Sequence, residues 1–247
     1  MDIIETKALT KIYFRGLLRQ KIHAVNDLNL KVTAGEIFGF LGPNGAGKTT
    51  TIKILMGFLL PTSGDAALIG KPLHDVSVRR RIGYLSENPI FHDFLTGRQA
   101  IEFYGGLHGI PKKQAHERLD WIVTTLRLRD ELILPLKKHS RGMLQKIGLA
   151  QALVNDPDLY ILDEPTSGLD PIGRKDFYNT MIELKNKGKT IFFSSHIMAD
   201  VEMVCDRVGI LVNGKLTCAK EVAPLRGSLE ELFIDEIRKH HPEGKEL

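Results

Sequence analysis

The sequence is poor in cysteine and tryptophan, and it contains no long apolar run. The 247 residues include one tryptophan and two cysteines, Cys205 and Cys218. The cysteines form neither a CxxC pair nor a His/Cys cluster. A disulfide framework or a zinc site is therefore not expected, and both cysteines are predicted to be small packing residues in a reducing compartment. No segment approaches the ~20 apolar residues of a membrane-spanning helix, and the first residues lack the pattern of a signal peptide. We expect a soluble protein that does not cross a membrane by itself.

The chain also lacks a strong charge of either sign. It has 34 basic and 30 acidic residues, a net charge of +4, which is too small to indicate a nucleic-acid partner and equally compatible with a membrane surface. Internal repeats and low-complexity segments are absent. Apolar residues make up 43% and charged residues 26% of the chain, as in ordinary globular proteins. The length allows one large domain or a domain with an inserted subdomain.

A glycine-rich segment, residues 42–50, is the most informative stretch of the sequence. It follows an apolar run at 37–41 that predicts a buried strand, and it precedes a predicted helix at 51–56. Strand, glycine-rich turn and helix form the context of a phosphate-binding P-loop. Its backbone N–H groups and the helix N-terminus attract anions, Lys48 can reach the β- and γ-phosphates, and the Thr49 hydroxyl can bind Mg²⁺.

Two further strand ends carry polar side chains suited to nucleotide hydrolysis. Asp163 and Glu164 end an apolar run that begins near residue 158, and His196 ends the apolar run at 190–195. Asp163 is predicted to hold Mg²⁺, Glu164 to orient and deprotonate a water molecule, and His196 to donate a hydrogen bond to the γ-phosphate. Adjacent acids at a strand end are often merely solvated, and a lone histidine is usually structural, so their combination with a P-loop carries the prediction.

The remaining pattern predicts an α/β protein with two additions. Strands at 3–9, 28–32 and 66–69 predict an antiparallel sheet beside the P-loop core, with a basic loop at 14–22. Residues from about 88 to 154 carry helical periodicity and few strand signals, and are predicted to form an inserted helical subdomain. Its aromatic residues are more often core than ligand-binding residues: Phe91, Phe94, Phe103 and Trp121. The segment 88–95, with Phe91 and Phe94, is alternatively a docking surface. Caps are predicted at Thr96 and Asp170, with Pro111 in a first helical turn, and an Asn213-Gly214 turn predicts a hairpin.

Together these segments resemble the ATP-binding subunit of an ABC (ATP-binding cassette) transporter. The resemblance covers nearly the whole chain, from Tyr13 to residue 233. It implies a P-loop NTPase (RecA-like) core with an N-terminal antiparallel β subdomain and an inserted α-helical subdomain, within one domain at 1–234 followed by a polar tail at 235–247. It also implies ATP and Mg²⁺ as ligands.

The resemblance assigns further roles to individual residues. The Walker A residues bind ATP: Gly42, Pro43, Asn44, Gly45, Ala46, Gly47, Lys48, Thr49 and Thr50. Tyr13 matches the aromatic residue that stacks on adenine, and Glu87 lies at the Q-loop position, where it contacts ATP and Mg²⁺. The D-loop matches Ser167, Gly168, Leu169 and Asp170. The signature matches Ser140, Arg141, Gly142 and Met143, in which Ser140 and Gly142 contact the γ-phosphate of a second subunit in the family.

Two departures from the family pattern stand out. The usual signature is Leu-Ser-Gly-Gly-Gln, and Arg141 and Met143 resemble the variant of export-type subunits for drugs, polysaccharides, sodium or copper. Glu87 stands where the family usually has glutamine, so an additional negative charge is expected near the triphosphate.

The resemblance implies partners as well as chemistry. Each ATP in the family lies between the P-loop of one subunit and the signature of another, so a second ATP-binding subunit is expected, with a homodimer favoured. An integral membrane permease subunit is also implied, which predicts a cytoplasmic, peripheral position on the inner face of the membrane and no nucleic-acid partner. One alternative is a non-transport ABC ATPase acting on ribosomes or DNA, which is disfavoured because paired cassettes, coiled coils and zinc motifs are absent. The other is a P-loop kinase, which is disfavoured by the signature segment and His196.

Overall fold

The computed structural model describes residues 1–16 and 20–240, which fall into two compact units. The first unit comprises residues 1–76 and 194–247, of which 17–19 and 241–247 lie outside the described residues, and the second comprises 77–193. Among the described residues, no helix combines the length and apolar character needed to cross a bilayer.

The first unit contains an antiparallel sheet formed mainly by the N-terminal part of the chain. Its strands are β1 (Asp2–Arg15), β2 (Gln20–Leu28), β3 (Lys31–Thr33), β5 (Ser63–Leu68) and β6 (Lys71–Pro72). They are arranged in the order β2-β1-β5-β6, and β3 also pairs with β1. Leu9 lies opposite Leu28, and Tyr13 lies opposite Ile22. The predicted antiparallel sheet is therefore present.

The same unit holds the P-loop strand and its helix. Strand β4 (Ile37–Leu41), buried at every residue, is followed by helix α1 (Lys48–Leu55). Strand β10 (Arg207–Val212) runs parallel to β4 and pairs antiparallel with β11 (Lys215–Glu221). The turn between β10 and β11 has positive φ at both Asn213 and Gly214, as a type I′ hairpin requires. Helices α7 (Met198–Val204) and α8 (Leu229–His240) complete the unit.

The second unit combines parallel strands with a group of helices. Strands β7 (Ile82–Leu85) and β8 (Leu159–Asp163) pair in parallel, with Gly83 opposite Tyr160. Strand β9 (Thr190–Ser195) lies beside β8 and passes out of the unit at its last two residues. The core of the second unit includes Phe177 and Phe193, whose rings meet edge to face with centroids 6.0 Å apart.

Helices make up most of the chain between β7 and β8. They are α2 (Gly97–Leu107), α3 (Lys112–Thr125), α4 (Asp130–Ile133) and α5 (Arg141–Leu153). Thr96 caps α2 through a capping box with Gln99, and Asp170 caps α6 (Pro171–Asn186) by accepting a hydrogen bond from the Gly173 N–H. Both predicted caps are confirmed. The boundaries proposed for the helical subdomain and for the tail stay predictions, and α8 continues to His240.

Several local expectations were wrong. The predicted basic loop at 14–22 includes the end of β1 and the start of β2, because a hairpin pairs Arg15 with Gln20; its residues 17–19 lie outside the described residues. The predicted strand at 28–32 is two strands, since Asn29 and Leu30 interrupt the pairing. Helix α1 begins at Lys48, earlier than predicted, and Pro111 precedes α3 rather than joining its first turn. Phe103 is exposed rather than part of the core, and Phe94 is exposed, which leaves the docking-surface alternative for that ring.

Candidate functional site

The P-loop between β4 and α1 requires glycine at its tightest point. Gly47 has φ +106°, and a Cβ atom there would lie 2.0 Å from the main-chain oxygen of Ala24. Gly45 also has positive φ. Any side chain at residue 47 would therefore collide with the neighbouring backbone, whereas glycine lets the chain turn directly into α1.

Lys48 and the start of α1 make this loop suitable for an anion. The Lys48 side chain is only 5% exposed, and its Nζ donates hydrogen bonds to the main-chain oxygens of Gly42 at 2.6 Å and Pro43 at 3.3 Å. Helix α1 has neither a side-chain cap nor an acidic residue in its first turn, and its N-terminus carries a partial positive charge. An ammonium group, a glycine turn and a helix N-terminus fit a polyphosphate.

Asp163 and Glu164 occupy the end of buried strand β8. Both carboxylates are buried, and Glu164 has a left-handed backbone with φ +49°, which marks a sharp turn out of the strand. Burial of Tyr84, together with the charge of Asp163, raises the pKa of that phenol to about 12. The side chain of Gln145 donates to the main-chain oxygens of Glu164 and Pro165, at 3.3 and 3.2 Å. Two buried acids at one strand end, with the main chain at Glu164 held by the Gln145 amide, suit metal binding and proton transfer.

The signature segment forms the start of α5. Ser140 is the N-cap, and its Oγ accepts a hydrogen bond from the Met143 N–H at 3.3 Å. A Cβ atom on Gly142 would lie 2.6 Å from the main-chain oxygen of Gly168. Glycine at residue 142 therefore allows the signature segment to approach the D-loop of the same chain closely, a contact that the sequence did not predict.

Arg141 strengthens this contact. Its Nη2 donates to the Ser167 Oγ at 2.9 Å and lies 3.9 Å from the Glu87 carboxylate. The guanidinium group thus connects the signature, the D-loop and the Q-loop position within the second unit. Leu169 belongs to the D-loop turn, donating its N–H to the Thr166 oxygen at 3.1 Å.

Tyr13 and His196 both lie in the first unit. Tyr13 is 41% exposed near the end of β1, and the Lys11 Nζ lies 5.5 Å from its ring centroid. His196 is exposed and directly follows β9. Both rings are accessible to a ligand.

The burial and hydrogen bonds of three polar residues in these segments were not predicted from the sequence. Gln145, Ser195 and Asp200 are buried, and each makes a hydrogen bond in a turn that carries a predicted site residue. These residues could have been found from the sequence as polar residues in segments that were otherwise predicted to be buried.

The comparisons with known proteins agree with these motifs. Residues 25–167 match the family model described as ABC transporter. An uncharacterized ABC transporter ATP-binding protein of Synechocystis sp. is 44% identical over 232 residues, covering 93% of this chain and 66% of that protein. The bacitracin transport ATP-binding protein BcrA of Bacillus licheniformis is 41% identical over 242 residues, covering 97% of this chain and 72% of that protein. The chain therefore spans about two thirds to three quarters of the length of these relatives.

Solved structures support the same assignment. An ATP-binding subunit of an ABC transporter superposes with a TM-score of 0.83 at 32% identity, covering 95% of this chain and 99% of that one. A dimeric ATP-binding cassette in a post-hydrolysis state, bound to ADP and Pi, has a TM-score of 0.81 at 22% identity, covering 89% of this chain and 98% of that one; this likeness concerns the fold alone. The predicted fold class, a P-loop NTPase with an antiparallel sheet and a helical region, is confirmed. The chain belongs to the ABC transporter family and is similar to its ATP-binding subunits.

Proposed function

We propose that the chain drives export by a separate membrane subunit, through ATP binding and hydrolysis in a dimer of ATP-binding subunits. The observation that carries the proposal is the P-loop, in which buried Lys48 contacts the Gly42 oxygen at 2.6 Å beside an uncapped helix N-terminus. The relative BcrA, named for bacitracin transport, supports a transport role, and the signature variant at Arg141 and Met143 favours export.

The Walker A residues bind the triphosphate in this proposal. Backbone N–H groups from Gly45 to Thr49 and the Lys48 ammonium group interact with the β- and γ-phosphates. Thr49, Asp163 and Glu87 hold Mg²⁺, which supplies positive charge against the phosphate oxygens. Tyr13 stacks on the adenine ring.

Glu164 is the general base of the proposed reaction. It accepts a proton from water as the water oxygen bonds to the γ-phosphorus, and the bond to the β-phosphate oxygen breaks to give ADP and inorganic phosphate. His196 donates a hydrogen bond to the γ-phosphate, and Lys48 offsets the negative charge that develops. Burial of the Glu164 carboxylate limits competing contacts with bulk water.

A second subunit completes each ATP site in this proposal. Ser140 and Gly142 contact the γ-phosphate bound to the other subunit, and the D-loop from Ser167 to Asp170 faces that subunit. The dimeric, ADP- and Pi-bound structure of similar fold is compatible with such an arrangement. A homodimer is the simplest form, because one chain carries one complete set of motifs.

The membrane subunit is proposed to contact exposed apolar side chains before α2 and on α2 itself. Ile90 is 89% and Phe94 76% exposed, and the Phe94 ring stacks on His92 with centroids 5.6 Å apart. Phe103, also exposed, meets the His92 ring edge to face. Exposed apolar side chains close together in one segment are typical of an interaction site. This contact would hold the chain at the inner face of the membrane.

Co-purification from detergent-solubilised membranes tests the proposal. A tagged chain should retain a multi-spanning membrane protein, and Ile90→Ser combined with Phe94→Ser should lose it. Ile182→Ser, which changes an exposed isoleucine of α6, is the matched control and should retain the partner. Recovery of ribosomes or DNA in place of a membrane protein would contradict the transport role.

A further inference from the structure

The turn that carries His196 is enclosed by two buried polar side chains. Ser195 is the last residue of β9, and Asp200 lies in the first turn of α7. Both are fully buried, whereas His196 between them is exposed. An exposed ring thus projects from a short segment whose two ends are anchored in the interior.

Hydrogen bonds close this turn on itself. The Ser195 Oγ accepts the Ile197 N–H at 2.9 Å, and the same hydroxyl can donate to the Asp200 Oδ2 at 3.4 Å or to the Ile197 oxygen at 3.3 Å. The Asp200 N–H donates to the Ile197 oxygen at 3.2 Å. These bonds restrain the peptide groups on the C-terminal side of His196, and they therefore restrain the Cα atom that carries its side chain.

Ser195 also connects the turn to the P-loop of the same unit. Its main-chain oxygen accepts the Gly42 N–H at 3.3 Å, and the Gly42 oxygen in turn accepts a hydrogen bond from the Lys48 Nζ. Two successive hydrogen bonds therefore connect Ser195 to the ammonium group that is proposed to bind phosphate. A displacement of Ser195 would move both the His196 turn and the P-loop.

We infer that Ser195 and Asp200 are positioning residues that hold His196 in place relative to the P-loop. An apolar side chain would be enough to fill the space that Asp200 occupies. Burying a carboxylate there is unfavourable unless it is hydrogen-bonded, so its presence points to a positioning role. The charge of Asp200 is also favourable in the first turn of a helix. The inference rests on the proposed contact of His196 with the γ-phosphate, because the position of the ring affects hydrolysis only through that contact.

Steady-state ATP hydrolysis by the purified full chain provides the first test. Ser195→Ala and Asp200→Ala should each lower kcat about tenfold or more while KM for ATP stays within about threefold, because misplacing a group affects the reaction more than ATP binding. Asp200→Asn, which keeps an oxygen acceptor for the Ser195 hydroxyl, should restore most of kcat.

Thr6→Ala is the matched control. The Thr6 hydroxyl is also buried, accepts a main-chain N–H from Leu30 at 2.9 Å and donates to the Leu28 oxygen at 2.8 Å, so its loss should lower thermal stability similarly. It should leave kcat unchanged. An equal loss of kcat in Thr6→Ala would mean that reduced stability, not positioning, explains the effect.

A double variant tests whether the two residues act through the histidine. Ser195→Ala with His196→Ala should be no slower than His196→Ala alone, within about twofold, because a positioning residue has nothing left to position. Multiplicative losses would overturn the inference.

Ring resonances of ¹⁵N-labelled histidine in the nucleotide-free protein give a readout that does not depend on hydrolysis. The His196 signals, assigned with His196→Ala, should shift in Ser195→Ala and Asp200→Ala and stay unchanged in Thr6→Ala. Unchanged His196 signals in all variants would overturn the inference. If His196→Ala retains normal turnover, its role in the proposed function is wrong, and the resonances still decide whether its position depends on Ser195 and Asp200.

Discussion

Arg141 lies 3.9 Å from Glu87, so two of the residues that depart from the family pattern form a pair in this chain. The Arg141 and Glu87 side chains are 57% and 43% exposed, and a pair of this kind contributes about 0–1 kcal/mol to stability. Its significance is therefore the placement of charge. The same guanidinium group donates to the Ser167 hydroxyl at 2.9 Å, which connects the charge of Glu87 to the signature and the D-loop.

Replacing Glu87 tests whether this charge affects coupling to the membrane subunit. Glu87→Gln should keep ATP binding within a few-fold, because both side chains offer an oxygen, and should change the stimulation of hydrolysis by the membrane subunit. Fluorescent-nucleotide titration and hydrolysis assays with and without that subunit measure the two effects. Glu230→Gln, an acid outside these motifs, is the control. If Glu87→Gln unfolds the chain, Glu87 has a structural role and the prediction fails.

Removing the P-loop ammonium group should nearly abolish hydrolysis. Lys48→Ala is expected to lower the rate by ~10²–10³, the typical cost of losing one group that stabilises developing negative charge. Lys53→Ala, at an exposed position of the same helix, should retain normal turnover. Phosphate release by preparations free of other ATPases measures both. Near-normal turnover in Lys48→Ala would contradict the role assigned to the P-loop.

Removing the proposed base should trap the dimer. Glu164→Gln keeps the shape of the side chain but not its charge, so hydrolysis should slow by ~10²–10⁴ while ATP still binds. Since ATP stabilises the form that binds it better, this variant should be a dimer in ATP, whereas the unaltered chain in ADP is mainly monomeric. Size-exclusion chromatography with light scattering distinguishes them.

Ser140→Arg is the companion variant for this experiment. Combined with Glu164→Gln, it should block the dimer by placing bulk at the contact with the other subunit, and should leave ATP binding to its own P-loop largely intact. If Glu164→Gln alone stays monomeric at tens of micromolar protein (roughly the range of weak association) with saturating ATP and Mg²⁺, isolated chains do not form the proposed dimer.

His139, next to the signature, predicts a dependence of stability on pH. Burial lowers the pKa of its imidazole, although the charge of Glu131 acts in the opposite direction, and both ring nitrogens are buried without a hydrogen-bond partner among the residues described. The unfolded chain therefore binds a proton more readily than the folded chain. Stability from this residue is present above the ordinary histidine pKa of about 6.5 and decreases as the pH falls through that value.

Urea unfolding at pH 7.5 and pH 5.5 measures this effect. His139→Gln should lose less stability than the unaltered chain between the two pH values, because it cannot accept the proton. His116→Gln, at an exposed histidine of α3, should behave like the unaltered chain. Identical pH dependence in His139→Gln would show that His139 does not account for the loss.

Local features of the fold were predictable because their chemistry lies within a few residues. Thr96 with Gln99, and Asp170 with Gly173, satisfy free N–H groups at helix starts. The Asn213-Gly214 turn adopts the positive φ values that its residues favour. The apolar runs before the P-loop and before Glu164 form strands buried at every residue.

Pairings between distant segments were not predictable in this way. The end of β1 pairs with β2 near Tyr13, although the intervening residues have the composition of a loop, because strand pairing depends on partners elsewhere in the chain. The sequence left open whether Phe94 lies in the core or on a docking surface, since an aromatic residue does not reveal which face of its segment meets the core.

The sequence by itself determined the P-loop, the acidic strand end, the signature segment and the order in which they occur, because each depends on residue types at short, regular spacing. Only the tertiary structure decided that Gly142 meets the D-loop backbone, that Arg141 joins Ser167 and Glu87, and that Ser195 and Asp200 enclose the His196 turn. The first two contacts join residues far apart in sequence, and the third depends on a turn whose buried hydrogen bonds no residue pattern specifies, so the packed backbone had to bring these atoms together.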